Sequence, residues 1–493
     1  MKFDRRGFIK FVAGGAVGLH LTPLPWKIID DIAIWTQNWP WVPRVTRYPS
    51  FSHSQTVCTL CPGGCGIRVR MVNGKRTIKV DGQEEAPINQ GKVCPLGAAG
   101  TQYQYALSRF KGPVKRVAAR GAGVWQKVSW EDAFKEVGSR LAELRQKKMA
   151  QTVVMISSRH SSLTKALTAR FMQAYGSPNL IFTPSLGLAA DFAQRAQFGP
   201  QLKDDQELFQ RLQLAQENSL GYDLEHADYV LSFGCGVIEG WGSPVRSIQA
   251  YSAWRAGGKA KLIQIDTWAS LTASKADEWI AVRPGSDGAL ALGMAHVMVK
   301  EGLFNAKFVS EHTHGFDAFK AMLLKDYAPA AVQLLTGVSP TIITKLARQF
   351  AQAKRPLAIA GRGKGSLPTP VYELMAVMSL NALAGNINQP GGVNVRQDLP
   401  LKSWAAAEPD EEVKECLAAP RLDLARSRKY PLTTSLLQNF LESVQEDRFY
   451  PVNVLILDQA NPAFLGADPT AFQAALRKIP LVVSLSGVAD DSS

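Results

Sequence analysis

The sequence predicts an α/β protein with mainly parallel sheets, preceded by a small β-rich segment, and three observations carry that prediction. First, short β-rich runs bounded by turn residues recur along the chain: Thr152 to Ile156, Tyr229 to Phe233, Leu262 to Ile265, Leu357 to Ala360 and Val454 to Leu457. Second, helical stretches such as Ala289 to Lys300 separate them, the spacing of crossover connections between parallel strands. Third, four of the six cysteines fall between positions 58 and 94, in a glycine-rich stretch that alternates apolar and polar residues.

At 493 residues the chain is too long for one ordinary core, and an apolar share of 46% permits well-buried interiors. The formal charge is +14, but the lysines and arginines are scattered and form no long basic run, so the balance reads as a solubilising surface. A nucleic-acid partner is not expected. No run of about 18 apolar residues occurs, so membrane attachment is expected through a partner or the N-terminus.

The first 25 residues read as an address. Arg5-Arg6-Gly7-Phe8-Ile9-Lys10 is a twin-arginine pattern followed by the short apolar stretch Phe11 to Leu21, which points to export across a bacterial cytoplasmic membrane. Gly14, Gly15 and Gly18 argue against a stable helix there. No small-x-small pattern follows, which leaves cleavage open and makes a retained anchor an alternative.

In an exported chain cysteines ordinarily pair, yet Cys58, Cys61, Cys65 and Cys94 are clustered while Cys235 and Cys416 stand alone. The spacing C-x2-C-x3-C-x28-C puts three thiolates on one glycine-rich loop and a fourth at a distance. Ile67 to Val72 and Thr77 to Val80 alternate around Asn73-Gly74, a hairpin that returns Cys94 to the loop. This three-plus-one arrangement favours a [4Fe-4S] cluster over structural zinc, whose commoner arrangement is two C-x2-C pairs. A fold that forms around its cofactor suits an export route that carries folded proteins. Covalent haem is not expected, because no C-x-x-C-H occurs.

The later strands end in Gly234-Cys235-Gly236, Asp266, Gly361-Arg362-Gly363 and Asn461-Pro462. Nucleotides lie at the carboxyl ends of strands in such sheets, so a large dinucleotide-like ligand is expected, although any one of these turns has a purely structural reading. Gly361 to Gly365 is not a Walker loop, because the spacing and the following Ser/Thr are missing.

With those turns and the four-cysteine loop, the segments Ala273 to Trp279, Arg283 to Ala289, Asn381 to Asn386, Pro390-Gly391-Gly392 and Asn461-Pro462-Ala463 resemble the molybdopterin oxidoreductase family. The resemblance implies a [4Fe-4S] domain at 50–115 and two interleaved α/β domains, 116–150 with 351–493 and a Rossmann-like one at 151–350, after a signal at 1–25. It implies that these clasp a bis-pterin guanine dinucleotide, with Gly234, Gly236, Asp266, Asp287, Gly363 and Asn461 at the cofactor. The family's C-terminal β-barrel is not expected within these residues.

Three positions depart from the family pattern. Where members carry Lys or Arg two residues after the fourth cysteine, bridging cluster to pterin, this chain has Leu96, which has no donor. The metal-ligand position falls on Gly187, with Ser185 and Asp191 nearby, and the asparagine of the first nucleotide turn is Gly236.

These departures imply a chain that keeps scaffold and cluster and relays electrons without a molybdenum centre, which makes a bound molybdopterin guanine dinucleotide doubtful. Within the family that pattern resembles the molybdopterin-like subunits of menaquinone reductase complexes in sulfate respiration. The likeness implies an iron-sulfur subunit, an integral-membrane quinone-binding subunit and a multihaem cytochrome c subunit as partners. It further implies periplasmic cytochrome c3 as donor and a place on the outer face of the cytoplasmic membrane. The alternative is a true molybdenum or tungsten bis-pterin reductase of the polysulfide, tetrathionate or arsenate type, with Ser185 or Asp191 as ligand.

Overall fold

Backbone pairing in this computed structural model is described for residues 4–21, 50–61, 63–159, 163–183, 193, 197, 220–258, 260–361, 371–395, 409–430, 433–466 and 468–492. Two units divide the chain: Met1–Leu60 with Cys65–Thr101, and Cys61–Gly64 with Gln102–Ser493.

In the first unit, β2 (Gly66–Val72) and β3 (Arg76–Gly82) pair antiparallel around Asn73-Gly74, as expected. Both turn residues have positive φ, 51° and 66°, within the three-residue loop that separates the paired Val72 and Arg76. A third strand, β1 (Phe51–Val57), lies along the other edge of β2 and was not foreseen. Its sequence FSHSQTV has no apolar alternation and its side chains are mostly exposed, so no local pattern marks it.

Arg5–Leu21 is an α-helix, which corrects the expectation that its glycines would prevent one. Phe8, Ile9, Phe11, Val12 and Val17 are exposed along it. Among the described residues no single helix is long and apolar enough to cross a membrane.

The second unit contains, in chain order, the hairpin of β4 (Val114–Arg116) and β5 (Trp125–Lys127), β6 (Val153–Ser157), β7 (Leu180–Phe182), β8 (Leu220–Tyr222), β9 (Tyr229–Phe233), β10 (Lys261–Asp266), β11 (Glu278–Ala281), β12 (Pro356–Ala360), β13 (Val393–Val395), β14 (Val454–Asp458) and β15 (Leu481–Ser484). Two four-stranded sheets, both wholly parallel, organise it: β11-β10-β9-β12 and β15-β14-β6-β7. A short antiparallel pair joins β8 to β13.

Both sheets are covered on each face, which is why their strands read as unbroken apolar runs. In the first, Leu231, Phe233, Ile263 and Ile265 enter one cluster with the helix Asp287–Lys300, while Val230, Leu262, Leu357 and Ile359 enter another with Trp254. In the second, Val154, Ile156, Leu455 and Leu457 pack with Phe440 and Phe472, and Val153, Met155, Val454 and Ile456 pack with Met172 and Tyr175. The helix Asp287–Lys300 is buried nearly all round, as an apolar-all-round helix must be.

Strand pairing departs from the expected domain boundaries. β6, placed with the Rossmann-like 151–350 segment, pairs with β14; β12, placed with 351–493, pairs with β9. Apolar runs reveal strands, but parallel partners lie far apart in sequence and leave no local mark of who pairs with whom.

Candidate metal centre

Within the first unit, β1 delivers Cys58 and Cys65 introduces β2, and the Cys58 N–H donates to the Cys65 carbonyl at 2.8 Å. That bond closes the loop at its base. Cys94 stands immediately before the helix Pro95–Tyr103, whose Gly97 N–H points at the Cys94 sulfur, 3.5 Å away. The helix thus presents both its N-terminus and a backbone N–H to that sulfur.

Gly97 also locates the sulfurs relative to each other: a Cβ there would lie 3.9 Å from Cys94 Sγ and 4.0 Å from Cys58 Sγ. Loop and helix thus bring these two thiols to one place. Asn89, fully buried, secures the approach; its Oδ1 accepts from Gly66 N at 2.9 Å, and its Nδ2 donates to the carbonyls of Gly66 at 2.9 Å and Lys92 at 2.8 Å. Sequence reasoning missed Asn89, a lone polar residue in a polar loop. Cys61 lies on the turn 61–64, which belongs to the second unit and is three residues along the chain from Cys58.

No disulfide joins any of the six cysteines. Among the described residues no three His, Cys, Asp or Glu side chains stand together as a metal-ion site. A thiol-only donor set with an N–H aimed at sulfur fits an iron-sulfur cluster, whose thiolates cap separate corners. The isolated pair are core residues: Cys416 is buried with its thiol on the Lys148 carbonyl, and Cys235 is wholly buried. Burial pushes the Cys235 thiol well up, and the nearby Asp287 and Asp266 carboxylates add to this against an opposing bond from Ser232.

Leu96 lies in the helix after Cys94 and is 43% exposed, so the position presents hydrocarbon and no hydrogen-bond donor. The residues there do not fit a polar bridge to a pterin.

At the carboxyl ends of the first parallel sheet, Gly234 takes φ +66° and its N–H bonds the Ile265 carbonyl at 2.8 Å. Gly236 begins a tight turn, its carbonyl accepting from Glu239, Gly240 and Trp241. Asp266 ends β10, and its carboxylate accepts from Thr267 N at 2.8 Å, Ser270 Oγ at 3.2 Å and Gln264 Nε2 at 3.2 Å. Glu239, which sequence reasoning missed, ties this turn to the next: its carboxylate accepts from Leu271 N, Thr272 N and Thr272 Oγ1 at 3.2, 3.0 and 2.7 Å. Asp287 is buried at the start of its helix.

Asn461 belongs to the other sheet, just past β14, where its amide donates to Asp491 at 3.1 Å and accepts from Ser492 Oγ at 2.7 Å. Nearby, Asp458 accepts from Ser157 Oγ at 2.9 Å and pairs with Arg159 at 3.0 Å. Gly234, Gly236 and Asp266 therefore sit at the carboxyl ends of the first parallel sheet, and Asn461 just past a strand of the second. Gly187, Ser185, Asp191 and Gly363 lie outside the described residues.

Thiol loop and strand-end turns together define the class. The chain belongs to the molybdopterin oxidoreductase family, matched over residues 109–493, and residues 52–106, which contain all four clustered cysteines, match that family's Fe4S4 domain. It is 31% identical to the menaquinone reductase molybdopterin-binding-like subunit of Nitratidesulfovibrio vulgaris, across 100% of this chain and 64% of that one. It is 28% identical to a thiosulfate reductase molybdopterin-containing subunit of Salmonella typhimurium, across 98% of this chain and 61% of that one. The chain thus spans under two thirds of these relatives' length. Acetylene hydratase from Pelobacter acetylenicus shares the fold, with a TM-score of 0.66 at 19% identity over 87% of this chain and 60% of that one.

Proposed function

We propose that this chain is the cluster-bearing subunit of a menaquinone reductase complex, and that it relays electrons through a [4Fe-4S] cluster on Cys58, Cys61, Cys65 and Cys94 without a molybdenum centre. The observation that carries the reading is the contrast between the Cys58 and Cys94 thiols, brought together at Gly97, and Leu96 beside them: two proposed cluster ligands meet there, and the polar link towards a pterin is absent. A bound cluster supplies one-electron chemistry. The chain's own residues hold the cysteine loop through Asn89, and the helix Pro95–Tyr103 presents its Gly97 N–H to the Cys94 sulfur.

Likeness to the Nitratidesulfovibrio subunit supports the quinone-reductase assignment and a multisubunit setting. Arg5-Arg6 and the exposed apolar side chains of the helix Arg5–Leu21 support export by the twin-arginine route and residence on the periplasmic side, attached through partners. Within that setting the partners are an iron-sulfur subunit, a quinone-binding membrane subunit and a multihaem cytochrome c subunit, with cytochrome c3 as donor. Interleaved α/β domains provide the scaffold.

Metal and pterin analysis of the native, partner-bound protein tests this. The expected result is about four irons per chain and no stoichiometric molybdenum or tungsten. Stoichiometric molybdenum or tungsten with a pterin would replace it with the reductase reading, in which Ser185 or Asp191 holds the metal.

A further inference from the structure

Ser243 stands at the start of the helix Pro244–Gly257, where a serine ordinarily turns its hydroxyl onto the first-turn N–H groups. It makes no such cap. Its Oγ is buried and has no hydrogen-bond partner among the described residues. A hydroxyl shut away from water and left unpaired is costly, so its position calls for an acceptor. Sulfur is at hand: a Cβ built on Gly63 would lie 3.1 Å from Ser243 Oγ and 3.3 Å from Cys61 Sγ. Having no side chain, Gly63 lets the cysteine turn lie directly against the serine.

We propose that Ser243 is a positioning residue for the redox centre, its hydroxyl donating to the Cys61 sulfur when that sulfur is a cluster thiolate. The proposal rests on the reading of Cys61 as a cluster ligand. An O–H···S bond draws charge from the thiolate and favours the more negative, reduced cluster, so it raises the potential. It also explains why a residue in a capping position forgoes its cap.

Redox titration of the full chain carrying its cluster, followed by electron paramagnetic resonance, tests this on wild type, Ser243→Ala and Ser243→Thr. The expected result is a lower midpoint potential in Ser243→Ala at unchanged iron content, with loss of one exchangeable-proton coupling to the cluster. Ser243→Thr keeps both the potential and the coupling. A Ser243→Ala protein with full iron, the wild-type potential and the wild-type couplings would overturn the proposal while leaving the ligand assignment intact. Failure of the wild-type chain to hold iron would overturn both.

Discussion

Asn89 grips Gly66 from both sides, its carboxamide oxygen on the glycine N–H and its amide nitrogen on the glycine carbonyl, each at 2.9 Å. Gly66 follows Cys65 directly, so this clasp fixes the end of the cysteine loop against the segment leading to Cys94. Replacing Asn89 with alanine strands buried backbone groups at a cost of about 1–3 kcal/mol. We expect Asn89→Ala to lose iron faster than wild type under chelator challenge, and Asn89→Asp, which lacks the amide donors, to do the same. Iron release at the wild-type rate in both variants would remove Asn89 from the site.

Glu239 fastens the turn after β9 to the short helix Leu271–Lys275 by accepting two N–H groups and a hydroxyl. In Glu239→Ala the amides of Leu271 and Thr272 should exchange hydrogen measurably faster than in wild type, while the strand amides of β9 and β10 keep their protection. Residue-resolved hydrogen exchange checks this, and unchanged Leu271 and Thr272 rates would refute it.

Thiol chemistry should separate the six cysteines into two sets. Cys235 is wholly buried with its thiol pushed up in pKa, and Cys416 is 4% exposed. Both should resist alkylation in the folded protein and react only on unfolding. Mass spectrometry of the native protein after iron removal should find label confined to Cys58, Cys61, Cys65 and Cys94.

Acid should expose the tie between Asp223 and the 391 loop. Burial would raise this carboxyl, but the Gly391 N–H at 2.9 Å, then His226 and Arg246, outweigh it and hold it below the ordinary carboxylate range. A group depressed in the folded state contributes stability above its unfolded pKa of about 4, and that contribution is lost as pH falls towards the folded value. Asp223→Asn should therefore flatten the acid limb of a melting-temperature profile below about pH 4. An acid limb identical to wild type would contradict this.

Legibility followed burial. The strands at 153, 229, 261, 356 and 454 were readable because each is buried on both faces and mostly apolar. The Asn73-Gly74 hairpin was readable because only a few residues accept that backbone. β1 escaped notice because its exposed residues carry no apolar period, and Asn89 and Glu239 because their importance lies in what they reach. Four cysteines announced themselves by spacing, yet Leu96 mattered only against a family pattern. Sheet membership stayed hidden because β6 and β14 are neighbours only in space.

That last pairing sets a timetable for the chain's birth. Ser157 and Asp458, bonded across the β6–β14 seam, are 301 residues apart. At about 5–20 residues per second a ribosome takes roughly 15–60 seconds to supply the second strand once the first has emerged. Throughout that interval the Val153–Ser157 segment can pair with β7, which follows closely in the chain, but lacks β14 along its other edge. Such an open edge is a template for wrong partners, so biogenesis calls for shielding one side of a five-residue segment until β14 has been made.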